Sequence, residues 1–87
     1  MAVTRQASTT SATQVLLADS TVMTRVFVND DANRAYVLIG PGTVSTTNYT
    51  FSLATNENAC FDQRAMTDRV SVIWGTAGAG GLNVTSL

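Results

Sequence analysis

Apolar and polar positions alternate along this chain in seven short runs, each closed by a cluster of turn residues. Tyr49-Thr50-Phe51-Ser52-Leu53 carries the alternation most cleanly: Tyr49, Phe51 and Leu53 share one face, and Asn48, Thr50 and Ser52 the other. Successive side chains of a strand point to opposite faces, so a period of two predicts a strand with one buried side. The same reading places strands at Gln14 to Ala18, Val22 to Asn29, Arg34 to Ile39, Asn48 to Leu53, Ala59 to Gln63, Arg69 to Trp74 and Leu82 to Leu87. No stretch of ten residues keeps a helical period between proper caps.

Two of these runs depart from simple alternation: the second is not simply polar on its other face, and the third is apolar on both. The second sets Val22, Thr24, Val26 and Val28 against Met23, Arg25 and Phe27. The third sets Tyr36 and Leu38 against Ala35, Val37 and Ile39. A strand apolar on both sides is central in its sheet and covered twice, once by the core and once by something further, such as a second subunit. The expected core is Val26, Val28, Tyr36, Leu38, Tyr49, Phe51, Leu53, Val70, Val72 and Trp74.

The runs are punctuated by Asp19-Ser20-Thr21, by Asn29-Asp30-Asp31-Ala32-Asn33, by Gly40-Pro41-Gly42 and by Thr55-Asn56-Glu57-Asn58. Thr43 to Asn48 reads as a loop or a short edge strand, and Gly75 to Gly81 as a glycine-rich hairpin loop. These are residues that bond their own backbone, tolerate positive φ or lack a ladder donor. Strands recurring every ~8–12 residues predict an all-β fold, a small antiparallel sandwich or barrel of about seven strands. Before it, residues 1–13 read as an extended N-terminal arm. Ala7 to Thr13 holds only small or hydroxylated side chains, too little apolar area to order alone. The domain proper is then residues 14–87.

Composition narrows the functional classes. An 87-residue chain makes one domain. At this size only ~60% of the unfolded surface is buried, so a partner or cross-link is expected to add stability. Cys60 is the only cysteine and histidine is absent, which removes an internal disulfide and a structural zinc site and leaves association. Charged residues are 13% of the chain, all the cations are arginine, and the net charge is −1. Arg5, Arg25, Arg34, Arg64 and Arg69 are scattered, which argues against a nucleic-acid partner. Arginine is favoured over lysine at protein interfaces, although genome composition explains missing lysines equally well. Met1 to Thr10 lacks the apolar segment of a signal peptide, and no run approaches the ~20 apolar residues of a membrane span. The protein is expected to be made in the cytoplasm and to stay soluble until it assembles.

Candidate chemistry is thin. Asn29, Asp30, Asp31 and Asn33 gather oxygens of the kind calcium prefers, but lack the glycine and distal glutamate of a helix–loop–helix site; a solvated turn is the simpler reading. Gly75 to Gly81 has neither the lysine nor the following helix of a phosphate-binding loop. Cys60 has no histidine or lysine to activate it and reads as a small buried apolar residue. Nothing sets Glu57 and Asp62 across a cleft for glycoside hydrolysis. Trp74, Tyr36 and Tyr49 would make a sugar-stacking platform if exposed, but their alternating strands favour core packing. No enzyme, cofactor or metal is expected.

Several segments carry a resemblance. Val26-Phe27-Val28-Asn29-Asp30, then Ala35-Tyr36-Val37-Leu38-Ile39-Gly40, then Thr46-Thr47-Asn48-Tyr49-Thr50-Phe51-Ser52-Leu53 follow a recurring order. Arg69-Val70-Ser71-Val72-Ile73-Trp74-Gly75 and Gly80-Gly81-Leu82-Asn83-Val84-Thr85 end it. Across Val15 to Leu87 the chain resembles small β-proteins encoded among the virion genes of tailed bacteriophages. It departs from them after Leu53, where relatives carry a Pro-Gly turn and this chain has Thr55-Asn56-Glu57-Asn58. These are strand and turn signatures rather than a catalytic fingerprint. The resemblance implies a virion structural protein, a capsid decoration or cement protein contacting the major capsid protein or other virion subunits. A head-fibre, neck or tail accessory and a carbohydrate-binding attachment module are the alternatives.

In that setting the domain is expected to form a homo-oligomer, with a trimer about a symmetry axis favoured, and to reside in the virion after assembly in the host cytoplasm. The expected partner interface is Val3, Thr4, Arg5, Gln6, Thr9 and Thr10 of the arm with Arg25 and Arg34. The arm would order as a strand added to a neighbouring subunit, and removing residues 1–12 would then abolish docking with the fold intact.

Overall fold

The computed structural model describes residues 2–19, 24–62 and 68–87. Eight strands follow one another: β1 (Ala2–Ala7), β2 (Thr13–Leu16), β3 (Thr24–Asn29), β4 (Ala35–Ile39), β5 (Phe51–Leu53), β6 (Asn58–Asp62), β7 (Val70–Trp74) and β8 (Gly81–Ser86). Among the described residues there is no helix. The expected strand start at Val22, the Ser20-Thr21 part of a turn, the strand end at Gln63, and Met1 and Arg64 lie outside the described residues.

The strands form two four-stranded antiparallel sheets, ordered β1-β8-β3-β6 and β2-β7-β4-β5. Four pairs are nested inside one another: β1 with β8, β2 with β7, β3 with β6, and β4 with β5. A chain doubled back on itself in this way and rolled into two sheets is a jelly roll. The all-β expectation holds, with eight strands among the described residues where about seven were expected.

The additional strand is β1. Residues 2–7, expected to be disordered alone, pair with β8 from Ala2↔Ser86 to Ala7↔Gly81. Ser8 N–H then bonds Gly80 O at 2.9 Å, and Thr9 O accepts from Trp74 N–H at 3.0 Å, which carries the chain from one sheet to the other. The physical reason is non-local. β8 already pairs with β3 on one side, and its other edge offers a ladder that a threonine-containing segment fits without much apolar burial.

The core between the sheets holds Phe27, Ala35, Val37, Leu53, Val70, Val72, Trp74, Leu82 and Val84. Five expected members are among them or packed against them: Leu53, Val70, Val72 and Trp74 are buried, and half-buried Phe51 packs on the cluster. Val26, Val28, Tyr36, Leu38 and Tyr49 are not core residues. In β3 the buried face is Arg25, Phe27 and Asn29, because Phe27 fills more of the interior than valine and the two polar side chains find partners there. Val26 and Val28 line the outer face opposite Thr85 and Asn83. In β4 the inward set is Ala35, Val37 and Ile39. Small Ala35 stands in register with Trp74, so the indole fills the space that Ala35 leaves.

The strand expected at 48–53 is shorter, because Thr50 departs from the ladder: its N–H bonds Val37 O at 2.7 Å and its hydroxyl accepts from Ile39 N–H at 2.9 Å. That bend turns Tyr49 to the outer face, where its ring meets Tyr36 edge-on with centroids 5.0 Å apart. The β4–β5 connection covers part of this face and buries Val44, so the second cover expected over β4 is supplied in part by the chain itself. Cys60, expected to be buried, is exposed on β6 opposite Val26.

Candidate functional site: a polar hub and two outer faces

At one end of the sandwich the β3–β4 turn gathers the densest polar cluster among the described residues. Asn29, the last residue of β3, is fully buried. Its Oδ1 accepts from the Trp74 indole N–H at 3.2 Å and from Asp31 N–H at 3.2 Å. Its Nδ2 donates to Asn33 O and Leu53 O, both at 2.9 Å. Its backbone pairs with the β5–β6 turn, donating to Glu57 O at 3.1 Å and accepting from Asn56 N–H at 2.7 Å. Asn56 adopts φ of 60°, a left-handed turn that asparagine tolerates.

Asp30 and Asp31 reach across to the glycine loop. Gly81 N–H donates to Asp30 Oδ1 and Gly80 N–H to Asp31 Oδ1, each at 2.8 Å, while Gly78 N–H donates to Ser8 Oγ at 3.0 Å. A Cβ at Gly80 would stand 2.5 Å from Asp31 Cα and 2.6 Å from Asp30 O, so only glycine lets the two segments lie together. This loop therefore is not a free hairpin. It links β7 in one sheet to β8 in the other and is fastened to the turn. Nor is the turn a solvated one, since Asn29 and Asp31 are both buried.

Electrostatics follow this geometry. The hydrogen bond from Arg5 is the main cause that holds the Asp30 carboxyl below its ordinary value, with Gly81 N–H adding to it. At Asp31 burial is the largest single influence and pushes the pKa up. Bonds from Asn33, Gly80 and Ser8 together outweigh it, so the net direction is down. The carboxylate oxygens that calcium would require take N–H groups of the chain instead. Among the described residues no three histidine, cysteine, aspartate or glutamate side chains come together as a metal site.

The residues expected to contact a partner are not brought together. Val3 is 63% exposed on β1, with Thr4 and Gln6 half-buried on the inner side of that strand. Arg5 forks onto Asp30, Nη1 to Oδ2 at 2.7 Å and Nη2 to Oδ1 at 3.2 Å, so this arm residue clamps β1 to its own domain. Half-buried Thr9 and exposed Thr10 lie in the crossing between the sheets. Arg25 is 1% exposed and is no surface residue: Nη1 donates to Asp68 O at 2.6 Å, and burial depresses its pKa. Its Nε has no hydrogen-bond partner among the described residues. Arg34 alone of the two is exposed, its Nη1 donating to Ser52 Oγ at 2.9 Å.

Trp74, the strongest member of the expected sugar platform, is in the core. Tyr36 and Tyr49 are outside it. A shallow cavity of about 180 Å³ opens beside Tyr36, lined also by Asn33, Arg34, Gly75 and Thr76. Sequence reasoning missed this grouping, because Thr76 and Arg34 are 42 positions apart and meet only through the pairing of β4 with β7. No protein-family model matches the chain, and no curated protein or solved structure matches it.

Proposed function

We propose that this protein is a non-enzymatic structural component of a tailed-phage virion, a decoration or cement protein that binds the head shell and stabilises it. The observation that carries the reading is the resemblance along Val15 to Leu87, whose motifs fall on β3, β4, β7 and β8 and on the turn and glycine loop that fasten them. Jelly rolls recur among viral capsid domains, which supports the reading by analogy of fold alone. The clustered polar groups support it too: Asn29, Asp30 and Asp31 serve internal bonds rather than a reaction.

The docking element in this reading is β1. It is not a free arm, so it binds through its outer edge, whose unpaired backbone groups accept a strand of a shell subunit. Three copies about a symmetry axis of the shell would each present that edge.

Counting this chain against the major shell protein by quantitative mass spectrometry of purified virions tests the proposal. Near-stoichiometric amounts are expected. A copy number far below the shell protein moves the chain to neck, tail or fibre, and absence from virions overturns the reading.

A further inference from the structure

The outer face of the β2-β7-β4-β5 sheet carries a group of side chains that the docking role does not use. Tyr36 lines the 180 Å³ cavity and is held by Tyr49, whose ring meets it at 61°. Arg34 gives one N–H to Ser52 and, among the described residues, has no carboxylate partner. No aspartate or glutamate lines the cavity. The Thr76 hydroxyl has no partner among the described residues. Asn33 is fixed on the opposite side by its own bonds to Asp31, N–H at 2.9 Å and Nδ2 at 3.1 Å, which leave its Oδ1 as an acceptor. Residues that carry an aromatic ring, a planar cation, an amide and a hydroxyl thus line one space, smaller than the ~300–1,000 Å³ of sites for drug-sized ligands.

We propose that this cavity binds a single carboxylated pyranose, the acidic unit of a surface glycan. Its ring would lie on Tyr36 and its carboxylate on Arg34. The C–H face of a pyranose is weakly positive and packs on the negative face of an aromatic ring. The remaining guanidinium N–H groups match a carboxylate in planar, two-point fashion, which lysine would not do. Thr76 and Asn33 supply the donor and acceptor that a hydroxyl-rich ring needs. Two of the walls are rigid before binding, Tyr36 through Tyr49 and Asn33 through the buried hub, so little freedom is lost on association. A nucleobase fits less well. The second tyrosine stands edge-on rather than parallel, and the chain's net charge of −1 gives no field for a phosphate backbone.

The inference is independent of the virion role, and virion copy number does not bear on it. It is tested by titrating the full chain with methyl β-glucuronide and with methyl β-glucoside while recording amide shifts by NMR. The amides of Arg34, Tyr36, Gly75 and Thr76 should move with both sugars, and the glucuronide should bind about tenfold more tightly, the difference expected of one charge-assisted contact. Arg34→Gln should erase that preference and keep the weak glucoside response. Tyr36→Phe keeps the ring and should keep binding, which guards against reading a folding defect as a lost site. Absence of shifts at these four amides at tens of millimolar sugar overturns the proposal. So does a glucuronide preference that survives Arg34→Gln.

Discussion

Asn29 shows how one side chain decides the local arrangement. Five groups converge on its side chain, the Trp74 indole N–H, the Asp31 N–H and the carbonyls of Leu53, Asn33 and Ala54, and the side chain is fully buried. A buried polar group left without its partner costs ~1–3 kcal/mol. Asn29→Ala strands at least the indole N–H and the Leu53 carbonyl, so a loss of about 2–5 kcal/mol in urea unfolding is expected. In a Trp74→Phe background the indole donor is already gone, and the same substitution should cost less; equal costs in the two backgrounds would show that the Asn29–Trp74 bond contributes nothing. The sequence marked Asn29 as a turn residue and Trp74 as core, but gave no sign that they meet, because a contact across 45 positions leaves no trace in periodicity. In the strand that holds Val26 and Phe27, alternation found the strand but pointed to the valine face, whereas Arg25, Phe27 and Asn29 face inward.

At the scale of the element, β1 is where local composition misleads most. Val3 stays largely exposed and Ala7 faces solvent, so hydrophobic burial cannot be what orders residues 2–7. What orders them is the ladder to β8, the Ser8–Gly80 bond and the fork of Arg5 onto Asp30. All three partners lie more than 20 residues away. The exposed ion pair adds little, as surface pairs generally do. The gain from these backbone bonds is opposed by an ordering cost of similar size, so the strand is held by a narrow margin. Deleting residues 1–8 should therefore lower stability by about 1–3 kcal/mol. It should also expose β8 as a new edge and increase self-association in sedimentation. An unchanged urea midpoint would mean that β1 does not contribute to the stability of the domain. By contrast β4 and β7 were legible almost to the residue, since both are short runs with β-branched or aromatic positions between clear punctuation.

For the whole molecule, the all-β character and the sandwich followed from alternation and turn spacing, whereas the nested order of strands did not. That order pairs the first strand with the last, and only the tertiary structure holds the information. The closing point of the roll is the carboxylate pair. Asp30 holds β1 through Arg5 and β8 through Gly81, and Asp31 holds the loop that joins the sheets. Both carboxyls are kept below their ordinary values, so the folded chain stays ionised there to a lower pH than the unfolded chain does. Their stabilisation is then complete above the unfolded-chain value of ~3.9 and drains away as pH falls through the lower folded values. The melting temperature should be nearly flat between about pH 7 and 5 and fall steeply below about pH 4. Asp31→Asn cannot titrate and sets an amide N–H₂ among the N–H groups of Gly80 and Asn33. It should melt lower than the parent at pH 7 and lose less on acidification, so the two melting curves converge toward pH 2. If the variant keeps the full acid-induced drop, the titration that opens the roll resides in other carboxylates, and the turn is a fastening without a pH dependence of its own.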